Sequence, residues 1–203
     1  ILSKLSKKHQ NLHKFFQKRE VENVLLVLFT TDKGVCGGLN TNLYKKAAQT
    51  IEKLEKEHPK AKIHYVASGK KGAEFLHRTG KEVGFVYPAY TNNPSFKDIF
   101  PVSKEALKGF EAGKYDKVVV VFSDFVSTLV QKAVAKTLLP FSLDVFEEML
   151  EELGSKFSEV VKPTEKEIDY KLEPSPKYII DNIVPQLTEM QLYQAVLETT
   201  ASE

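Results

Sequence analysis

The stretch Asn23-Val24-Leu25-Leu26-Val27-Leu28-Phe29-Thr30-Thr31-Asp32-Lys33-Gly34-Val35-Cys36-Gly37-Gly38-Leu39 decides the fold. Its first part, Asn23–Thr30, is a nearly continuous apolar run, which fits a strand buried on both faces of a parallel sheet. Its second part, Thr31–Gly38, is a polar, glycine-rich turn. From Leu39 the period changes. Leu39, Leu43, Ala47, Ile51 and Leu54 mark one face of a helix that ends near His58-Pro59.

The same rhythm continues toward the C-terminus. Lys62–Ala67 reads as a strand, Lys70–Arg78 as a short helix stopped by Gly80, and Glu82–Val86 as a strand. Tyr87–Pro94 is a loop rich in Pro, Asn and Tyr. Ser95–Ala112 is helical and leads into the strand Lys117–Phe122. Thr128–Leu138 reads as a further strand, although Gln131–Thr137 is open to helix by propensity. Alternating strands and helices predict an α/β fold, a mostly parallel sheet flanked by helices on both faces. Ser142–Leu153 has a helical stripe with Ser142 as cap, and 162–167 is a polar linker. Asp169–Glu173 is a short strand candidate.

Narrow apolar stripes stand at both ends. Ile1, Leu5, Leu12 and Phe16 mark a helix over Ile1–Phe16, with lysines opposite. Ser175 and Pro176 open a final helix whose stripe is Ile179, Ile183, Met190, Tyr193 and Leu197. Pro185 is expected to kink or break it, because proline lacks a donor and clashes with the carbonyl of Asp181. The two stripes predict an antiparallel pair, with Ile1, Leu5 and Leu12 facing Tyr193 and Leu197. Neither end carries a start or stop signal, so the reading expects a piece of a longer polypeptide. Its parts are 1–20, the end of one coiled-coil helix; 21–174, the globular domain; and 175–203, the start of the other helix.

Composition narrows the chemistry only a little. The chain has 203 residues, 42% hydrophobic and 28% charged, with a formal net charge of +2, so overall charge selects no partner. Cys36 is the sole cysteine, which excludes an internal disulfide framework. No apolar run is long enough to cross a bilayer, and no signal-peptide pattern is present. Lysine pairs such as Lys7-Lys8 and Lys70-Lys71 lack clustered aromatics, so nucleic-acid binding is not indicated.

Several residues could carry chemistry. The turn Gly34–Gly38 opens a helix, where free N–H groups favour an anion. A phosphate loop needs Gly-Lys-Ser/Thr, however, and Gly38 is followed by Leu39 and Asn40. Asp32 and Asp124 both lie just past the carboxyl ends of predicted parallel strands, where α/β sites form. They could bind Mg²⁺ or accept a phosphoryl group; alternatively, both cap turns or helix starts. Cys36 could be a nucleophile near a helix N-terminus, with His64 or His77 as base, or simply a small packed side chain. His9 and His13 could share a metal, but no third ligand is in view. A stand-alone phosphate- or nucleotide-handling α/β enzyme built on Asp32, Asp124 and the glycine turn therefore stays open. So does a non-catalytic knob on a helical shaft.

Three segments carry a resemblance. Thr30–Leu43 is similar to the strand-to-helix segment of F-type ATP synthase gamma subunits, whose pattern is Ser-Thr-Asp-Arg/Lys-Gly-Leu-Cys-Gly-Gly-Leu-Asn. Tyr170–Pro176 resembles their Tyr-x-x-Glu-Pro-x-Pro, and Gln194–Glu203 resembles the start of their long C-terminal helix. The form of these motifs favours a bacterial type. The resemblance implies a single Rossmann-like domain inserted between the stubs of two long antiparallel coiled-coil helices. It implies a non-catalytic central-stalk rotor subunit that couples proton-driven rotation of the c-ring to ATP synthesis, with no catalytic residue, cofactor or metal. Implied partners are the alpha and beta subunits of the catalytic ring, the epsilon subunit and the c-ring. Implied location is peripheral, on the cytoplasmic face of the plasma membrane, without direct insertion. Residue by residue, it places Lys33, Gly34 and Cys36 near an acidic loop of the beta subunit, and Tyr170, Lys171, Leu172 and Glu173 on the c-ring.

Overall fold

The computed structural model describes residues 14–16, 19–33, 36–90, 93–142 and 176–203. Five strands form one sheet: β1 (Asn23–Phe29), β2 (Lys62–Ser68), β3 (Val83–Tyr87), β4 (Lys117–Ser127) and β5 (Val130–Leu139). Their spatial order is β3-β2-β1-β4-β5. The first four run parallel and β5 returns antiparallel to β4. Among the described residues four helices cover the sheet: α1 (Leu39–Glu57), α2 (Lys70–Arg78), α3 (Phe100–Glu111) and α4 (Pro176–Ser202). This is the expected α/β architecture.

β1 is central because its sequence tolerates water on neither face. Val24, Leu26 and Leu28 point into an aliphatic layer with Leu43, Ala47, Ile51 and Leu54 of α1 and Leu76 of α2. Leu25, Val27 and Phe29 point the other way. That layer is aromatic-rich, with Phe15, Phe110, Tyr115, Phe122 and Phe141, and α3 and α4 close it. Gly109 lets α3 press onto Tyr115: a Cβ there would lie 2.4 Å from the ring.

Several expectations need correction. Ser95–Ala112 is not one helix. A 3-10 turn over Phe96–Ile99, closed by a reciprocal cap between Ser95 and Asp98, precedes α3, and Pro101 sits in the first turn of α3. β4 outruns the expected Phe122 and continues to Ser127, because beyond its last pairing with β1 at Val121 it still pairs with β5. The strand expected over Thr128–Leu138 is present as Val130–Leu139, so the helical alternative for Gln131–Thr137 falls away.

α4 departs most from its reading. It passes through Pro185 without a break. Val184, Leu187 and Thr188 are buried on either side, and that packing holds the helix across the missing hydrogen bond. Its buried face is Val184, Leu187, Thr188, Leu192, Ala195, Val196 and Thr199, whereas the expected stripe residues Met190 and Leu197 are exposed. Tyr193 turns to the domain itself, with its OH donating to Pro94 O at 3.0 Å. Of the first expected helix, Lys14–Phe16 forms a 3-10 turn whose Phe15 stacks on Phe110. Residues 1–13, with Ile1, Leu5, Leu12, His9 and His13, lie outside the described residues, as do 143–175 with the expected helix after Ser142 and the strand Asp169–Glu173.

Candidate functional site

The strand order reverses between β1 and β4. The chain proceeds from β1 outward to β3, then returns to the other side of β1. In open α/β sheets the crevice beyond the carboxyl ends of strands at such a reversal is where ligands bind. Here the last turns of α4 occupy it. Ser123 lies just beyond the last β1–β4 pairing, and its N–H donates to Thr199 Oγ1 at 3.3 Å. Ser123 Oγ donates to Ser202 Oγ at 3.0 Å. On the other side of the crevice, Lys33 Nζ lies 3.4 Å from Glu203 Oε2. The loop after β3 closes the collar: Thr200 Oγ1 donates to Tyr90 O at 3.1 Å, beside the Tyr193–Pro94 bond. Burial, and then the neighbouring Tyr87 and Asp98, push the Tyr90 hydroxyl up to about 12, so it stays a neutral donor, to Asp98 O.

The glycine turn is fastened from within. Asn40, one residue into α1, donates through Nδ2 to Thr31 Oγ1 at 3.2 Å and to Lys33 O at 3.3 Å, and its Oδ1 accepts from Thr31 N. Cys36 Sγ donates to Lys33 O at 3.2 Å. Gly37 takes φ +55, the left-handed region that a side chain disfavours. The turn thus presents its Lys33 carbonyl inward and the Lys33 side chain outward, half-exposed.

The two aspartates do not converge on a shared site. Asp32 Oδ1 accepts the Lys70 N–H at 2.6 Å, which satisfies the start of α2. That helix lies tight against the end of β1: Gly72 N donates to Thr30 Oγ1 at 2.9 Å, and a Cβ on Gly69 (φ +97) would meet Thr30 O at 2.6 Å. Asp124 faces Glu198 of α4. Asp32 as a helix start agrees with the plain reading of the sequence; the partner of Asp124 was not foreseen. Cys36 packs at the margin of the aliphatic layer. His64 is far from it, opposite Leu25 near the start of the sheet, where Nε2 meets Asn23 Oδ1 at 3.1 Å. Burial, then Lys62 and Lys114, lowers its pKa and so favours the neutral ring. The phosphate-handling reading therefore loses its site: its carboxylates are engaged elsewhere and its crevice holds a helix. Among the described residues no group of three or more His, Cys, Asp or Glu could hold a metal ion, and no helix is long and apolar enough to cross a membrane. Gly34 and Tyr170, Lys171, Leu172 and Glu173 lie outside the described residues.

Sequence reasoning missed Asn40, Glu198, Thr199, Ser202 and Glu203. A signal existed for the helix group. Thr199, Ser202 and Glu203 repeat at three- and four-residue spacing, which puts them on one helix face.

The ATP synthase family model matches residues 1–203. The ATP synthase gamma chain of Roseiflexus sp. (strain RS-1) is 36% identical over 183 residues, covering 90% of this chain and 57% of that one. The ATP synthase gamma chain of Legionella pneumophila (strain Corby) is 34% identical over 191 residues, covering 94% of this chain and 61% of that one. This chain therefore spans about 57% to 61% of the length of these curated relatives. Among solved structures, a chain of the central stalk and c-ring of Tetrahymena thermophila mitochondrial ATP synthase aligns with TM-score 0.62 at 18% identity, over 99% of this chain and 80% of that one. At that identity the likeness speaks for the fold alone.

Proposed function

This chain belongs to the ATP synthase family of gamma chains, and on that premise we propose that it is the globular part of a non-catalytic rotor shaft. In this role it couples proton-driven rotation of a c-ring to ATP synthesis in a ring of alpha and beta subunits. It works at the cytoplasmic face of a bacterial plasma membrane. Residues 1–20 and 175–203 are then the domain-side ends of an antiparallel coiled coil, and 21–174 the knob between them.

The observation that carries this reading is the filled crevice. Where a doubly wound enzyme would hold its ligand, this chain holds its own final helix, gripped by β4, the turn after β1 and the loop after β3. Torsion on that helix would pass to the sheet through both the apolar face of α4 and this polar collar. Lys33, Gly34 and Cys36 belong, on this reading, to the surface offered to an acidic loop of the beta subunit. Tyr170, Lys171, Leu172 and Glu173 form the foot on the c-ring, and the epsilon subunit binds the same globular part.

Calorimetric titration with Mg-ATP, Mg-ADP and NAD tests the non-catalytic claim. No saturable micromolar binding is expected; saturable binding overturns it. In the assembled enzyme, cysteine placed at position 170 or 171 should crosslink to a c-ring loop, and failure at both positions removes the proposed foot.

A further inference from the structure

The seam between α4 and the uncovered flank of β4 holds two carboxyl groups. Gln194 Nε2 donates to Glu198 Oε1 at 2.8 Å, whereas Glu198 Oε2 is buried and receives no donor. Its neighbour across the seam is the carboxyl group of Asp124. Ionised carboxylates only accept hydrogen bonds, so two of them face to face repel and leave oxygens unsatisfied. One proton between them turns an acceptor into a donor and removes both faults. We infer that Glu198 keeps its proton and donates it to the Asp124 side chain, that this bond fastens the last turns of α4 to β4, and that the fastening loosens when the proton leaves Glu198.

The surroundings set the balance. Glu198 is pushed up first by burial and then by the Asp124 carboxyl, against the hydrogen bond from Gln194 and, more weakly, the charge of Lys136 on β5. Lys132 stands opposite Asp124 in the β4–β5 ladder. Lys33, on the turn after β1, is engaged by Glu203. β1, α3 and its 3-10 turn meet α4 through the apolar side chains of their common layer, such as Phe29, Ile99 and Val102. A lysine is thus near, but none intervenes with a hydrogen bond to Glu198 Oε2. Because the pKa is raised in the folded chain, the folded state binds the proton more tightly than the unfolded one. The added stability is full below the ordinary glutamate value and is lost as pH rises through the raised one. The proton on Glu198 belongs to the fold and does not depend on the rotor reading. Within a rotor it would make the grip on the final helix weaken in alkaline surroundings.

Two measurements on this chain test it. In a ¹³C titration of glutamate side-chain carboxyls, with Glu198→Gln identifying the resonance, Glu198 should titrate above the ordinary value of about 4.3. In hydrogen exchange corrected for intrinsic rate, opening at the Ser123 and Thr199 amides should rise with pH above that value, by up to about tenfold per unit for one proton. Asp124→Asn supplies an amide donor to Glu198 and should flatten the rise; Glu198→Gln should do the same, so either variant suffices if the other does not fold. A Glu198 resonance titrating at the ordinary value, or Ser123 opening that does not change with pH in the unaltered chain, overturns the inference.

Discussion

Helices α1 and α4 cover opposite faces of one sheet by different means. α1 buries Leu39, Leu43, Ala47, Ile51 and Leu54, with Thr50 beside them, and its outward face is charged. α4 buries Val184, Leu187, Leu192, Ala195 and Val196 but also Thr188 and Thr199, and its end is held by hydroxyls and carboxylates. Apart from side-chain bonds of Asn40 and Tyr44 near its start, non-directional burial holds α1, so its position follows mainly from its stripe. Directional bonds hold the end of α4, so its position depends on what the partner backbone offers. A helix that merely covers a sheet needs the first kind of contact, whereas one that must not slip along the sheet gains from the second.

The contrast sharpens by removing one contact of each kind. Leu43 is fully buried under α1, so Leu43→Ala should cost about 2–5 kcal/mol of unfolding free energy, the range for truncating a core leucine. Denaturant midpoints with an unchanged slope measure it. Thr199→Val keeps the volume but takes the acceptor from the Ser123 N–H, which should cost about 1–2 kcal/mol for a buried unpaired donor. Faster exchange confined to Ser123 and the end of α4 is its signature. If both changes act equally across the whole domain, the two helices do not differ in the way described.

The same difference explains what the sequence disclosed. The strand, turn and helix from Asn23 to Glu57 were legible because period and composition agree there: an unbroken apolar run, glycines, then a stripe every third or fourth residue. Lys70–Arg78 was legible for the same reason, with Gly80 at φ +73 ending it. α4 was legible as a helix but not in its orientation. Its expected stripe favoured large side chains such as Met190 and Leu197, while the buried face uses alanine, valine and threonine where the helix comes close to the sheet. The Asp124–Glu198 meeting was not legible at all, because it joins residues far apart in the chain through the choice of crevice. Nothing local in either residue marks the other.

A smaller effect separates the collar's parts. Tyr193 donates its OH to Pro94 O and sets its ring edge-on to Phe96 at 5.4 Å. Tyr193→Phe keeps the ring contact and removes the bond, so about 0.5–1.5 kcal/mol should be lost. If the loop after β3 is a strap on α4, the loss appears as faster exchange in that loop with β4 unaffected. Uniform loss would mean that Tyr193 supports the core and not the strap.

The smallest expected change in stability falls on Lys33, and it bears on two roles at once. Its side chain is 55% exposed, whereas the Glu203 side chain that it meets is 3% exposed. An ion pair with one end in water is worth about 1 kcal/mol or less, so Lys33→Glu should destabilise this chain only by that order. The change nevertheless sets a second carboxylate against Glu203, and Glu203→Gln, which can donate an amide hydrogen, should relieve it. Recovery of the unfolding midpoint in the double variant therefore reports the internal pair. The proposed contact with an acidic beta-subunit loop predicts something else in the assembled enzyme: Lys33→Glu weakens the coupling of ATP hydrolysis to proton pumping through repulsion across the interface, and Glu203→Gln does not restore it, because the offending charge still faces the partner. ATP-driven pumping in membrane vesicles, measured for the single and double variants, separates the two. Pumping that recovers together with stability confines Lys33 to holding the final helix; pumping that stays impaired while stability recovers supports the partner contact.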